Sequence, residues 1–106
     1  MSESNSYKNS DKNLQNTPEK ITIQLRPGPG APPLKTTKFK LKNDLNVSWL
    51  IGKLRGMLGA TESESVFLYL AQSFAPLPSQ TIGELWELFQ ADDKVIFHYT
   101  KQPAFG

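Results

Sequence analysis

The chain has 106 residues, enough for one small domain, with 38% hydrophobic residues and a formal net charge of +2 at pH 7. It has no cysteine, which excludes disulfides, thiolate metal sites and a cysteine nucleophile within the chain. A single histidine leaves little material for an acid–base pair or a metal site, and so small a net charge does not by itself argue for nucleic acid.

Met1–Pro18 holds eight Ser or Asn but only one Leu and one Tyr. A segment of that composition buries too little apolar surface to offset its ordering entropy. Residues 1–19 therefore read as a disordered tail ahead of a domain over 20–101. The tail has no apolar h-region of the kind a signal peptide needs. No run approaches the ~20 apolar residues of a membrane span.

Ile21-Thr22-Ile23-Gln24-Leu25 alternates apolar and polar residues, as a half-buried strand does. Arg26–Pro33 carries four of the eight prolines and reads as an open hairpin loop. Its Gly28-Pro29-Gly30 is not a phosphate loop, because proline removes the N–H donors such a loop needs and no helix follows directly. A PxxP ligand over Pro29–Pro32 is the minor alternative. Leu34–Lys42 is the second expected strand, with Phe39 and Leu41 on one face and Lys38, Lys40 and Lys42 on the other. Such lysines protect a sheet edge from pairing with other chains; a binding patch is the other reading.

Asn46 is positioned to cap a helix. Val47, Leu50, Ile51, Leu54, Met57 and Leu58 then form one stripe at helical spacing, and Gly59 is a natural stop. Gly52 and Gly56 each cost this helix about 1 kcal/mol relative to alanine, so it relies on packing. Trp49 lies off the stripe, which leaves it either under a loop or on a contact surface. Val66-Phe67-Leu68-Tyr69-Leu70 is a third strand, apolar on both faces. One helix covers only one of them, so loops or a partner must cover the other. Ala71–Ser79 is a loop around Phe74-Ala75-Pro76-Leu77-Pro78. Phe74 either caps the core beneath that loop or stands exposed for binding. Thr81 and Glu84 make a capping box for a short helix with Ile82, Leu85, Trp86 and Phe89 on its apolar side.

Val95-Ile96-Phe97-His98-Tyr99-Thr100 is the last strand. By parity Val95, Phe97 and Tyr99 face the helix, and Ile96, His98 and Thr100 face away. A strand histidine of this kind is ordinarily structural or solvent-facing, so His98 receives no catalytic role. Pro103 ends the ladder. Residues 102–106 then read as a flexible arm ending in Gly106, whose missing Cβ lets protein surfaces approach its carboxylate closely. Strand, strand, helix, strand, short helix, strand, with the last strand inserted parallel to the first, is the α+β plan of a β-grasp, or ubiquitin-like, fold.

Gln72-Ser73-Phe74-Ala75-Pro76-x-Pro78, Ile82-Gly83-x-Leu85, Lys94-Val95-x-x-His98-Tyr99 and the closing Ala104-Phe105-Gly106 together resemble the autophagy-related protein twelve family of ubiquitin-like modifiers. The resemblance extends more loosely back to Lys20. Phe39 departs from it, standing where many relatives carry tryptophan, and the glycine-interrupted helix is unusual. The resemblance implies a modifier rather than an enzyme. An activating enzyme using ATP and magnesium would adenylate Gly106, with no cofactor held by this chain. A conjugating enzyme would then carry Gly106 as a thioester to a lysine of autophagy-related protein five. The conjugate would recruit the conjugating enzyme that transfers a second ubiquitin-like protein to phosphatidylethanolamine, in the cytoplasm and at the forming autophagosome membrane, which this chain would meet only indirectly, through the conjugate. Lys20, Lys38, Phe39 and Phe74 match family positions implicated in that stimulation. Alternation puts Lys38 and Phe39 on opposite faces, so a bulge or an indirect role is required for both to act together. Two other readings stay open: a non-covalent ubiquitin-fold interaction module, and a nucleic-acid binder using Lys35, Lys38, Lys40 and Lys42, whose binding would be steeply salt-dependent.

Overall fold

The computed structural model describes residues 17–71 and 73–103. Its elements are β1 (Lys20–Pro27), β2 (Lys38–Lys42), α1 (Val47–Leu58), β3 (Glu64–Leu70), α2 (Ile82–Phe89) and β4 (Lys94–Pro103). The sheet order is β2-β1-β4-β3. β1 is antiparallel to β2 and parallel to β4, and β3 is antiparallel to β4. This is the β-grasp arrangement that the order of elements predicts.

The core follows from the period of each element. Ile21, Ile23 and Leu25 of β1, Val66, Leu68 and Leu70 of β3, and Val95, Phe97 and Tyr99 of β4 all bury one face of the sheet. Val47, Leu50 and Leu54 of α1 and Ile82 and Leu85 of α2 close over it. Each large side chain so buried contributes roughly 1.5–3 kcal/mol of transfer free energy.

Both helix starts are capped as the sequence predicts. Asn46 Oδ1 accepts the Trp49 N–H at 2.9 Å. Thr81 Oγ1 accepts from Glu84 N at 3.1 Å while Glu84 Oε1 accepts from Thr81 N at 2.9 Å. The two starts are also tied to each other: Val47 N donates to Gln80 O at 2.9 Å and Ile82 N to Leu45 O at 2.8 Å. Gly59 ends α1 with φ of 65°, the left-handed cap that glycine adopts without steric cost.

Strand boundaries differ from expectation in all four strands; β1 runs on through Arg26 and Pro27, assigned above to the loop, by pairing with His98 and Tyr99 of β4. The second strand begins at Lys38 rather than Leu34: the β1–β2 register ends at Gln24↔Lys38, and of the residues before it Thr37 O alone accepts from β1, from Leu25 N at 2.7 Å. β3 starts two residues earlier than expected, at Glu64. β4 runs on to Pro103, so Gln102 and Pro103, assigned above to the arm, belong to the ladder. These two extensions are one event, since Glu64 lies opposite Pro103 and Ser65 opposite Gln102. Backbone pairing does not require the side chains to be apolar. At the other end of the domain Asn43 Nδ2 donates to Pro18 O at 3.0 Å, and Thr17 is buried against Glu87.

Candidate functional site

β4 is a central strand, flanked by β1 and β3. Tyr99 is fully buried, and its hydroxyl donates to Pro32 O at 2.5 Å, so the proline-rich loop is fastened to the strand that leads to the C-terminus. Burial raises the Tyr99 pKa above its usual value. Near the exit of β4, Lys101 Nζ lies 3.5 Å from Glu64 Oε2. The Glu64 carboxyl is held below its ordinary value, first by the Thr61 N–H it accepts and then by Lys101. β4 thus delivers the chain to the sheet's end beside Glu64, and Gly106 itself lies outside the described residues.

Phe74 is 42% exposed. Its loop is not loose: Leu70 N donates to Phe74 O at 2.7 Å and Phe74 N to Leu70 O at 3.0 Å. The ring rests on Phe89, with centroids 5.1 Å apart. Phe74 is therefore neither a core cap nor a free side chain, but a half-seated aromatic held by backbone bonds on one side and by α2 on the other.

Phe39 is half-buried on the helix side of β2, while Lys38 projects exposed from the opposite side. No bulge brings them together; the β1–β2 register is regular through Ile23↔Phe39 and Gln24↔Lys38. Lys20 shares the Lys38 side of the sheet. Phe74 follows β3 at the far edge, three strand spacings or roughly 14 Å across the sheet from β2. The four residues thus form no single cluster.

Around Phe39 the structure places Trp49 on a contact surface, the second of the two positions the sequence left open for it, and adds Lys53, which the sequence reading did not name. Trp49 is 43% exposed and stands beside Lys53, whose Nζ is 5.8 Å from both the Trp49 and the Phe39 rings. With Leu41 and Met57 they line a groove of about 470 Å³. The available signal was the i, i+4 spacing of Trp49 and Lys53 on one helix. His98 lies half-buried on the uncovered face of the sheet, as parity predicts. Among the described residues no group of three or more His, Cys, Asp or Glu could hold a metal ion, and no helix is long and apolar enough to cross a membrane.

The family model described as "Ubiquitin-like autophagy protein Apg12" matches residues 20–106. The chain belongs to the Apg12 family of ubiquitin-like autophagy proteins. The ubiquitin-like protein atg12 of Dictyostelium discoideum is 39% identical over 87 residues, covering 82% of this chain and 70% of the relative. Ubiquitin-like protein ATG12 of Rattus norvegicus is 40% identical over 90 residues, covering 85% of this chain and 64% of the relative. For that of Coccidioides immitis the figures are 38%, 82% and 48%. The chain thus spans about half to two-thirds of the length of the curated relatives it matches. In three dimensions it resembles ATG8 of Trypanosoma brucei, with a TM-score of 0.73 at 19% identity over 97% of this chain and 94% of the other, a likeness of fold alone. Within the Apg12 family match lie Lys20, Lys38, Phe39, Phe74 and Gly106.

Proposed function

We propose that this Apg12-family chain is a protein modifier of autophagy, joined through Gly106 to a lysine of autophagy-related protein five. The observation that carries this reading is the family match, which runs unbroken from the start of β1 through Gly106. The strand that precedes the arm is anchored by a buried tyrosine, so the arm has a fixed point of departure.

The chemistry follows from the groups available. The Gly106 carboxylate attacks the α-phosphate of ATP and pyrophosphate leaves, giving an acyl-adenylate. A thiol of the activating enzyme displaces AMP and forms a thioester. Because this chain has no cysteine, every sulfur in the sequence of transfers belongs to a partner. The acyl group then passes to a thiol of the conjugating enzyme, and finally to the acceptor lysine amine, which forms the isopeptide bond and releases the thiol. ATP and magnesium belong to the activating enzyme.

The conjugate promotes transfer of a second ubiquitin-like protein to phosphatidylethanolamine, acting in the cytoplasm and peripherally at the forming autophagosome membrane. Lys20, Lys38, Phe39 and Phe74 contact partners in that step. They do so from two sides of the domain, Phe39 with Trp49 and Lys53 on one and the lysines on the other. Deleting Gly106 is expected to abolish the shifted band on a denaturing gel; an undiminished band would overturn the reading. The second reading, a non-covalent interaction module, is favoured by the Phe39 groove. It predicts a partner complex that falls apart in denaturant.

A further inference from the structure

The sheet face turned away from the helices carries an unusual charge pattern. Its outward residues on β1 are Lys20, Thr22, Gln24 and Arg26; on β2, Lys38, Lys40 and Lys42; on β4, Lys94, Ile96, His98, Thr100 and Gln102. On β3 they are Ser65, Phe67 and Tyr69. None is acidic. The acids closest in sequence, Glu19, Asp44, Asp92 and Asp93, sit in the segments just before β1 and β4 and just after β2. Six Lys or Arg side chains therefore share one face, and no ion pair among the described residues engages any of them; Lys101 pairs with Glu64 instead.

The register makes this costly. Lys20 lies directly opposite Lys42, and like charges directly opposite on neighbouring strands destabilise a sheet. Edge protection alone does not require it, because a lysine on the edge strand itself already serves that purpose. Lys20 and Lys94 are not on the edge.

The shape of this charge is equally specific. It is spread in two dimensions over three strands, from Lys42 and Lys20 to Lys94 and from Lys38 to Arg26. Among the grooves described none is built into the lysine array; the groove that includes Lys40 is lined by Phe39, Trp49 and Lys53 of the helix side. Five of the six cations are lysines, point charges rather than the planar forks that suit shaped phosphate recognition. Next to them lie Ile96, Tyr69 and Phe67, the last 41% exposed. A field of lysines with no groove among them, bordered by exposed Phe67, by half-buried Tyr69 and Ile96 and by a groove of about 420 Å³ at Tyr69, His98 and Thr100, matches a charged plane better than an extended peptide or a base.

We propose that this face docks on an anionic lipid surface. The lysines and Arg26 face the headgroups, and Phe67 and Tyr69 sit at their level. The contact requires neither Gly106 nor conjugation. Lys20 and Lys38 then serve the lipid surface or the protein partner but not both at once, while Phe39, Trp49 and Lys53 stay open on the opposite side.

The test is sedimentation of the full, unconjugated chain with vesicles of phosphatidylcholine containing one-third phosphatidylserine, and with pure phosphatidylcholine vesicles. Binding is expected to the first and not to the second. Raising salt from 0.1 M to 1 M, which shortens the screening length from about 10 Å to about 3 Å, should release it. Each cation removed should weaken binding about fivefold, so Lys40→Gln with Lys42→Gln should lose roughly 25-fold. Both side chains are exposed, so folding is expected to survive, and circular dichroism checks that. Equal binding to neutral vesicles, no binding to anionic ones, or undiminished binding by the folded double variant would overturn the proposal. So would displacement from the vesicles by a single-stranded oligonucleotide at matched charge concentration, which would identify the face as a nucleic-acid surface instead.

Discussion

Tyr99 shows how much one side chain decides. It is buried among the core residues, yet its hydroxyl reaches out to Pro32. Tyr99→Phe should cost about 1 kcal/mol in urea unfolding, the net worth of one hydrogen bond plus the orphaned carbonyl. It should also change the alkaline limb. The folded-state pKa is raised, so the unfolded chain ionises first; stability is complete below about pH 10 and falls as pH rises through the folded value. The phenylalanine variant should lose the part of that decline due to this residue, which unfolding at a series of alkaline pH values would show. Parity in the sequence predicted that Tyr99 faces inward, but nothing in it indicated Pro32 as the partner, because 67 residues separate them. The same limit applies to Phe74. Its surroundings depend on the ring of Phe89, which local pattern places on a helix face but not beneath a particular loop.

At the scale of elements, local rules were legible where they are self-contained. The Thr81–Glu84 box and the Asn46 cap need only four consecutive residues, and both are present as read. Thr81→Ala should therefore lose about 1 kcal/mol. Helix α1 offers the opposite test. A Cβ at Gly52 or Gly56 would meet nothing within 4 Å, so no packing reason opposes alanine there. Gly52→Ala should raise stability by about 1 kcal/mol and the melting midpoint by roughly 4–8 °C. No rise would mean that the glycine serves a purpose in the helix beyond the contacts present. What was not legible were the strand ends. β3 and β4 extend into polar residues because each supplies the other's hydrogen-bond partners, and that pairing is a property of the sheet rather than of either segment.

For the molecule as a whole, the order of elements sufficed for the β-grasp architecture, and the closing motifs sufficed for the family. The arrangement of the candidate surface was less readable. Lys38 and Phe39 lie on opposite faces of the edge strand β2, Lys20 on the central strand β1 and Phe74 beyond the far edge, whereas Trp49 and Lys53, which flank Phe39, meet it only through the packing of α1 over β2. The domain thus presents two distinct surfaces on either side of its sheet, with β4 between β1 and β3 leading toward Gly106. Gly106 is the residue through which the chain is proposed to be joined, and intact-mass analysis addresses that bond most directly. The chain is incubated with ATP, magnesium, the activating and conjugating enzymes of the pathway, and autophagy-related protein five. A product is expected at the summed mass of the two proteins less one water, absent when Gly106 is deleted. No product from enzymes that remain active on another modifier, or a product that persists without Gly106, would contradict it.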